Sequence, residues 1–184
     1  MANNVVVAIV GLAGSGKSAS LSAIKNQKAW LYLNCDVNKP LPFAHNFNEK
    51  VITKYSQIGK LIQAGNANAA CKGIIIDTYT SALDMSEMSN KKTAEDKFAV
   101  WDGYRDNILN LFLGPVAEAT KPIIFICHVE MTKDIRGRPK LAIAVKGATA
   151  NRGIENFFTN IVYADFVELH ELEDYKNDML TITK

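Results

Sequence analysis

Residues 4–18 read Asn4-Val-Val-Val-Ala-Ile-Val-Gly-Leu-Ala-Gly-Ser-Gly-Lys-Ser18. Residues 4–10 form a short, almost wholly apolar run rich in β-branched side chains, which predicts a strand buried on both faces of a parallel sheet. Small residues follow, and from Lys17 to about Lys25 the sequence predicts a helix. This order of strand, turn and helix indicates the fold class and the place where chemistry is expected.

The turn at residues 11–18 matches the pattern GxxxxGK[ST]. Glycines permit backbone angles that side chains forbid, so that N–H groups of the loop and of the helix start can face an anion. Lys17 is predicted to contact the β- and γ-phosphates of ATP, and Ser18 to ligate Mg²⁺. Chance alone would give the pattern in roughly one chain of this length in a hundred or two. The predicted nucleotide-binding residues are Gly11, Leu12, Ala13, Gly14, Ser15, Gly16, Lys17, Ser18 and Ala19.

Apolar runs alternate with helical patterns along the rest of the chain. This alternation predicts an α/β fold of three layers with a mainly parallel sheet. Two C-terminal strands, residues 161–170 and 179–183, are expected to pair antiparallel. One domain is predicted over residues 1–184, with truncation at its C-terminal end left open. The other predicted strands are residues 29–35, 50–55, 73–77 and 122–127.

The remaining segments are predicted as helices or loops. Residues 94–113 have a helical pattern with Thr93 as the N-cap and Phe98 on the apolar face. Residues 78–92 are polar and are predicted to be mobile, and residues 128–140 are predicted to form a basic loop that is mobile or hairpin-like. Further helices are predicted at residues 56–65 and 148–158.

Composition bounds the class of protein. Of the 184 residues, 48% are hydrophobic and 22% are charged, as in soluble globular proteins. No apolar run has the 18 residues of a membrane span, and the N-terminus lacks the basic segment of a signal peptide. Cys35, Cys71 and Cys127 form no CxxC pair, which favours reduced thiols over disulfides or a zinc site. A cytoplasmic protein without membrane contact is expected.

Three predicted strands are followed by a polar side chain at the sheet edge where open α/β sheets bind ligands. Asp77 is predicted to hold Mg²⁺ through water, or else to cap a loop. Asp36 is predicted to orient and deprotonate the attacking water, or else to be a turn residue. His128 is predicted to hydrogen-bond the γ-phosphate or that water, or else to be structural. With Lys17 these form the predicted catalytic set.

Positive charge is concentrated between residues 133 and 152. Six basic residues there face one acidic residue, Asp134, so the segment carries +5 while the whole chain carries +2. Such a segment could neutralise nucleic-acid phosphates, supply an arginine finger to a neighbour's γ-phosphate, or be a solvated surface loop. The residues predicted to bind DNA or to act in trans are Arg136, Arg138, Lys140, Lys146 and Arg152.

In the order of these parts, and in the segments YLNCD (32–36), IIIDTYTSAL (74–83) and FICHVE (125–130), the chain resembles the RecA-like P-loop NTPases. It most resembles small phage-type AAA/RecA-like ATPases of the single-strand-annealing (Sak-like) recombination class. The resemblance implies a RecA-like core, Mg²⁺-dependent ATP hydrolysis, and assembly into a ring or filament. It also implies binding of single-stranded DNA in the host cytoplasm, with a single-strand DNA-binding protein as a further partner.

The resemblance also assigns roles by position. Asp77 corresponds to the Walker B acid, Asp36 to the catalytic glutamate with a shorter side chain, and His128 to the glutamine that senses the γ-phosphate. Residues 78–92 and 129–146 correspond to the two DNA-contacting loops. Lys146 and Arg152 correspond to trans-acting residues at a subunit interface.

Other functions use the same phosphate loop. A nucleotide or small-molecule kinase would use Arg136 and Arg138 as a lid over the transferred group. A nucleotide-dependent switch without turnover would need no base at Asp36. A GTPase is disfavoured, because Asn38-Lys39-Pro40-Leu41 and Asn90-Lys91-Lys92-Thr93 both lack the aspartate of an NKxD motif.

Overall fold

A seven-stranded sheet forms the centre of the computed structural model, which describes residues 5–94, 96–134, 136–168 and 170. The strands are β1 (Val6–Gly11), β2 (Trp30–Asn34), β3 (Asn48–Val51), β4 (Gly73–Asp77), β5 (Ile123–Lys133), β6 (Pro139–Ile143) and β7 (Asn160–Tyr163). Their order is β3-β2-β4-β5-β1-β7, with β6 paired to β5. Every pairing is parallel except that of β5 with β6. The predicted α/β class with a mainly parallel sheet is confirmed.

Helices cover both faces of the sheet, which explains why its central strands are continuously apolar. The helices are α1 (Lys17–Ser20), α2 (Ser56–Ala67), α3 (Tyr79–Thr93), α4 (Lys97–Leu111) and α5 (Thr149–Arg152). On one face α2, α3 and α4 bury side chains such as Ile76 and Phe125. On the other face Leu21, directly after α1, and Phe47 pack against Tyr32, Ile75 and Ile126.

The segment predicted to be a mobile loop, residues 78–92, is instead the helix α3. Thr78 caps this helix by accepting a hydrogen bond from the Ser81 N–H at 3.4 Å. Tyr79, Ala82 and Leu83 are buried against the sheet and α4. The prediction weighed the polar composition of the segment and missed this short apolar stripe.

Helix α4 begins later than predicted, with Asp96 rather than Thr93 as its N-cap. The Asp96 carboxylate accepts hydrogen bonds from the N–H groups of Phe98 (2.7 Å) and Ala99 (2.8 Å). Phe98 is 82% exposed, so it does not belong to the packed face. A single π turn, Phe112–Val116, carries the chain through Pro115.

Residues 128–140, predicted to be a basic loop that is either mobile or hairpin-like, belong to a β-hairpin formed by β5 and β6. Strand β5 continues five residues beyond His128, and β6 returns antiparallel with Met131 opposite Leu141. In the turn, the Asp134 carboxylate accepts hydrogen bonds from the N–H groups of Arg136 (2.8 Å) and Arg138 (2.9 Å). Its other oxygen accepts from Arg138 Nε at 2.7 Å.

The C-terminal strands differ from the prediction in pairing. Strand β7 is shorter than residues 161–170 and lies parallel to β1, with Ala8 opposite Ile161. Its register is held by main-chain bonds at both ends, from Thr159 N–H to Val6 O and from Ala164 N–H to Val10 O, each 2.8 Å. The predicted partner, residues 179–183, lies outside the described residues.

No helix within the described parts of the chain is long and apolar enough to cross a lipid bilayer.

Candidate active site

The sheet brings the four predicted catalytic residues to one edge. Strand β5 lies between β1 and β4, and its register places His128 opposite Gly11. Strands β2 and β4 pair so that Asn34 lies opposite Asp77. All four strands run in the same direction, so their carboxyl ends meet at the loop of residues 11–18, where open α/β sheets bind ligands.

A cleft of about 600 Å³ opens at this edge, which is within the usual size range of small-molecule sites. Its floor is formed by residues 13–19, and its walls include Asp36, Asp77 and His128. Residues 39–42 and the exposed ring of Phe166 line it at the sides. The residues predicted from separate strand ends therefore share one cavity.

The loop of residues 11–18 has the backbone that its glycines allow. Gly14 and Gly16 have φ angles of 81° and 86°, in the left-handed region that side chains rarely adopt. Lys17 is buried, and its ammonium group donates hydrogen bonds to the carbonyl oxygens of Gly11 (3.0 Å) and Leu12 (2.6 Å). Burial lowers its pKa, while the nearby Asp77 carboxylate raises it.

One buried polar group in this loop lacks a protein partner. The Ser15 hydroxyl oxygen is buried, and no hydrogen-bonding group among the described residues reaches it. A buried hydroxyl without a partner costs about 1–3 kcal/mol. Ser15 as a residue lines the cleft, and its hydroxyl oxygen is enclosed by the protein beside Gly11.

Asp77 is the buried acid of the site. One carboxylate oxygen accepts a hydrogen bond from the Ser18 hydroxyl at 3.2 Å, and the other accepts from the Tyr32 hydroxyl at 3.1 Å. Burial raises the pKa of Asp77 above its ordinary range, and the two hydrogen bonds oppose that rise. The same carboxylate and burial raise the pKa of Tyr32.

The donor set fits a magnesium ion that keeps most of its ligands outside the protein. Ser18 and Asp77 offer hard oxygen donors beside each other, the type that Mg²⁺ prefers. No cluster of three or more His, Cys, Asp or Glu side chains suited to a metal occurs among the residues described here. Since Mg²⁺ commonly uses one or two protein oxygens plus phosphates and water, the remaining ligands would come from a nucleotide and solvent.

Asp36 lies across the cleft and is held by a chain of hydroxyl groups. Its carboxylate accepts a hydrogen bond from Ser81 Oγ at 3.0 Å, and Ser81 Oγ lies 2.7 Å from Thr78 Oγ1. The Asp36 carboxylate also lies 3.9 Å from the ammonium group of Lys39. With 38% of its side chain exposed, Asp36 is in contact with the solvent of the cleft.

His128 is half-buried at the centre of the edge. Its main-chain N–H donates a hydrogen bond to Thr80 Oγ1 at 3.4 Å, which joins β5 to α3. Burial and the positive charge of Lys17 lower the pKa of His128; the Asp36 carboxylate opposes this shift, and Lys39 adds a smaller lowering. The side chain is therefore predominantly neutral near pH 7, so one ring nitrogen can donate a hydrogen bond while the other accepts one.

The five basic residues that were predicted to bind DNA or to act in trans lie outside the described lining of the cleft. Lys146 forms ion pairs with Asp84 (2.7 Å) and Glu87 (2.8 Å) of α3, and these bonds raise its pKa. Arg136 and Lys140 are exposed on the hairpin, and Arg152 is exposed on α5.

Sequence reasoning missed Tyr32, residues 39–42 and Phe166 in the cleft lining, and Ser81, which donates a hydrogen bond to Asp36. Tyr32 was hidden inside an apolar run, and only the register of β2 beside β4 shows that its hydroxyl meets Asp77. Ser81 follows Thr78 by three residues, the spacing of a helix N-cap and the N–H that it binds. That spacing could have placed Ser81 beside Thr78 if α3 had been predicted.

Comparison with known proteins does not assign a family: the chain matches no protein-family model and gives no significant match to a curated protein.

Proposed function

We propose that this chain is a Mg²⁺-dependent ATPase of the RecA-like P-loop class that acts on single-stranded DNA. One convergence carries the proposal: a glycine-rich loop with a buried lysine faces two carboxylates and a histidine across a single cleft. The paired oxygen donors of Ser18 and Asp77 support a phosphate–metal ligand over an apolar one.

Each group has a task that its position supports. The backbone amides of residues 13–18 and the Lys17 ammonium group bind the β- and γ-phosphates. Ser18 and Asp77 would hold Mg²⁺, which supplies positive charge to the phosphate oxygens. Tyr32 keeps the Asp77 carboxylate oriented through its hydrogen bond.

The hydrolytic step uses Asp36 and His128. A water molecule held by the Asp36 carboxylate attacks the γ-phosphorus, and its proton passes to Asp36. The bond from the γ-phosphorus to the bridging oxygen breaks, and its electron pair stays on ADP. His128, predominantly neutral, can donate a hydrogen bond to the γ-phosphate and so respond to its loss.

Action on DNA is supported by the basic hairpin. Arg136 and Arg138 lie in the turn between β5 and β6, and Lys140 lies on β6 opposite Thr132. The kinase alternative is less well supported. Its lid residue Arg138 is bonded to Asp134, and neither arginine lines the cleft among the residues described.

The test is an ATPase assay with and without single-stranded DNA, across a range of protein concentrations. We expect Mg²⁺-dependent hydrolysis that DNA stimulates, more steeply as protein concentration rises. Lys17→Ala should abolish ATP binding, whereas Lys28→Ala, which changes a lysine away from the cleft, should leave it intact. Failure of the unaltered chain to bind Mg·ATP, or normal affinity in the Lys17 variant, would contradict the proposal.

A further inference from the structure

A tight turn presents a second lysine to the cleft. Residues 36–39 close this turn through a hydrogen bond from Lys39 N–H to Asp36 O at 3.0 Å. Lys39 lines the cleft together with Asp36 and Asp77, and its ammonium group lies 3.9 Å from the Asp36 carboxylate. Its charge is one of those that act on His128. The ammonium group is therefore directed to the part of the cleft where hydrolysis is proposed.

The turn is built from a buried side chain, unlike a random surface loop. Asn34 is 1% exposed, and its amide group bridges the turn. Its Oδ1 accepts from Asp36 N–H at 3.1 Å, and its Nδ2 donates to Lys39 O at 3.0 Å and to Glu49 Oε1 at 2.8 Å. One fixed amide thus positions both the acid and the lysine.

The same turn contains backbone strain. Val37 and Asn38 have φ angles of 53° and 62°. A β-branched residue in the left-handed region is an outlier that stores backbone strain. Val37 is 87% exposed, so packing of its side chain does not explain the conformation. Strain of this kind concentrates at functional sites.

The Lys39 ammonium group can leave its present partner at little cost. It lies 3.9 Å from Asp36, and 75% of the side chain is exposed. An ion pair of that kind contributes little to stability, so a phosphate oxygen can replace the carboxylate. By contrast, the trans-acting candidate Lys146 is held by two carboxylates of its own chain at 2.7 and 2.8 Å.

We propose that Lys39 binds the γ-phosphate from within the same chain and stabilises the negative charge that develops on it during hydrolysis. This inference rests on the proposed ATPase activity and assigns to Lys39 the part that an arginine finger from a neighbouring subunit plays elsewhere. Lys17 binds the phosphates from the loop side, and Lys39 approaches from the Asp36 side.

The first experiment compares Lys39→Met with Lys60→Met, an exposed lysine on α2 outside the cleft. We expect Lys39→Met to lower kcat about 100-fold, with little change in ADP affinity. Its affinity for Mg·ADP with aluminium fluoride, which mimics the transferred phosphoryl group, should fall in proportion to kcat. Lys39→Arg should recover much of the rate, and Lys60→Met should match the unaltered chain in every measurement.

A mixing experiment tests whether the lysine acts within its own chain. Lys39→Met and Asp77→Asn subunits are combined, and ATPase activity is measured. Lys39 acting in cis predicts no recovery, while recovery would overturn the cis assignment. Unchanged kcat in Lys39→Met, or an equal loss of ADP affinity, would overturn the role of Lys39 and leave the ATPase proposal standing. If the unaltered chain fails to hydrolyse ATP, both proposals fall.

Discussion

The carboxylate of Asp77 is costly to keep ionised. It is only 3% exposed, and burial raises its pKa above the ordinary value of 3.8. A carboxyl group whose pKa is raised by folding contributes its stability below the ordinary value and loses it as the pH rises through the raised value. The ionised Asp77 carboxylate, which is the form that would bind Mg²⁺, therefore lowers the free energy of unfolding of the protein without ligand.

Asp77→Asn should therefore stabilise the fold in the absence of nucleotide. At pH 8 we expect a gain of about 1 kcal/mol, or about 2–4 °C in Tm for a chain of this size, together with loss of Mg²⁺-dependent ATP binding. The gain should vanish near pH 3, where Asp77 is protonated in both folded and unfolded states. The Tm values of both proteins, measured by thermal melts from pH 3 to pH 8, test this prediction. Asp102→Asn, at an exposed position, is the matched control and should leave the Tm unchanged. A Tm of D77N below that of the unaltered chain at pH 8 would contradict the claim that ionised Asp77 destabilises the fold.

At the scale of elements, two pieces of structure follow strand ends at the cleft: the turn at residues 36–39 after β2, and the hairpin that β5 forms with β6 beyond His128. The turn is strained at Val37 and held by Asn34. The hairpin is closed by Asp134, whose pKa is lowered by hydrogen bonds from Arg138 and Arg136. We test the turn by its stability and the hairpin by its binding to DNA.

Val37→Gly should stabilise the protein, because glycine adopts positive φ without the clash of a β-branched side chain. We expect a rise of about 2–4 °C in Tm. Val51→Gly, at an exposed position within β3, should have the opposite effect because glycine weakens a strand. A loss of stability in V37G would mean that the turn does not have the left-handed conformation.

Neutralising Arg136, Arg138 and Lys140 together should weaken binding of single-stranded DNA and flatten its dependence on salt. A second variant neutralises Lys91 and Lys92 at the end of α3, the other segment that the resemblance assigns to DNA contact. Affinity titrations at several salt concentrations separate the two. If only the α3 variant loses affinity, the DNA-contacting element is α3 rather than the hairpin.

At the scale of the whole molecule, an aromatic cluster connects distant parts of the chain. Phe125 of β5 packs 5.2 Å from the ring of Phe112 and 5.5 Å from that of Phe158. Phe112 also stacks on Phe157 at 4.7 Å. These rings join the end of α4, the strand that carries His128, and the segment that leads to β7.

Phe125→Ala should accordingly cost about 3–5 kcal/mol of unfolding free energy, because the side chain is fully buried. Phe98→Ala should stay within about 0.5 kcal/mol of the unaltered chain, since Phe98 is 82% exposed. Denaturant titrations of the two variants compare the costs directly. Similar costs would contradict the exclusion of Phe98 from the packed face.

Local sequence patterns predicted β1, β2, β4, the first half of β5 and the glycine-rich turn, because each is encoded by adjacent residues. The strand ends Asp36, Asp77 and His128 could be placed at one edge because parallel strands share an orientation. The position of Tyr32 could not be predicted, because its contact with Asp77 depends on which strand lies beside β2. The position of Lys39 could not be predicted either, because it depends on a turn that Asn34 fixes. The pairing of β7 with β1 was missed because a period of two does not distinguish parallel from antiparallel partners.

The continuity of β5 has a mechanical consequence. The strand passes His128 without a break and extends to Lys133, so about 17 Å of hydrogen-bonded ribbon projects from the cleft. A rotation of this ribbon by about 10° at its base would displace its tip by about 3 Å. In the proposed ATPase, a small rearrangement beside His128 would thereby move the arginines of the turn far enough to make or break a contact with a DNA phosphate.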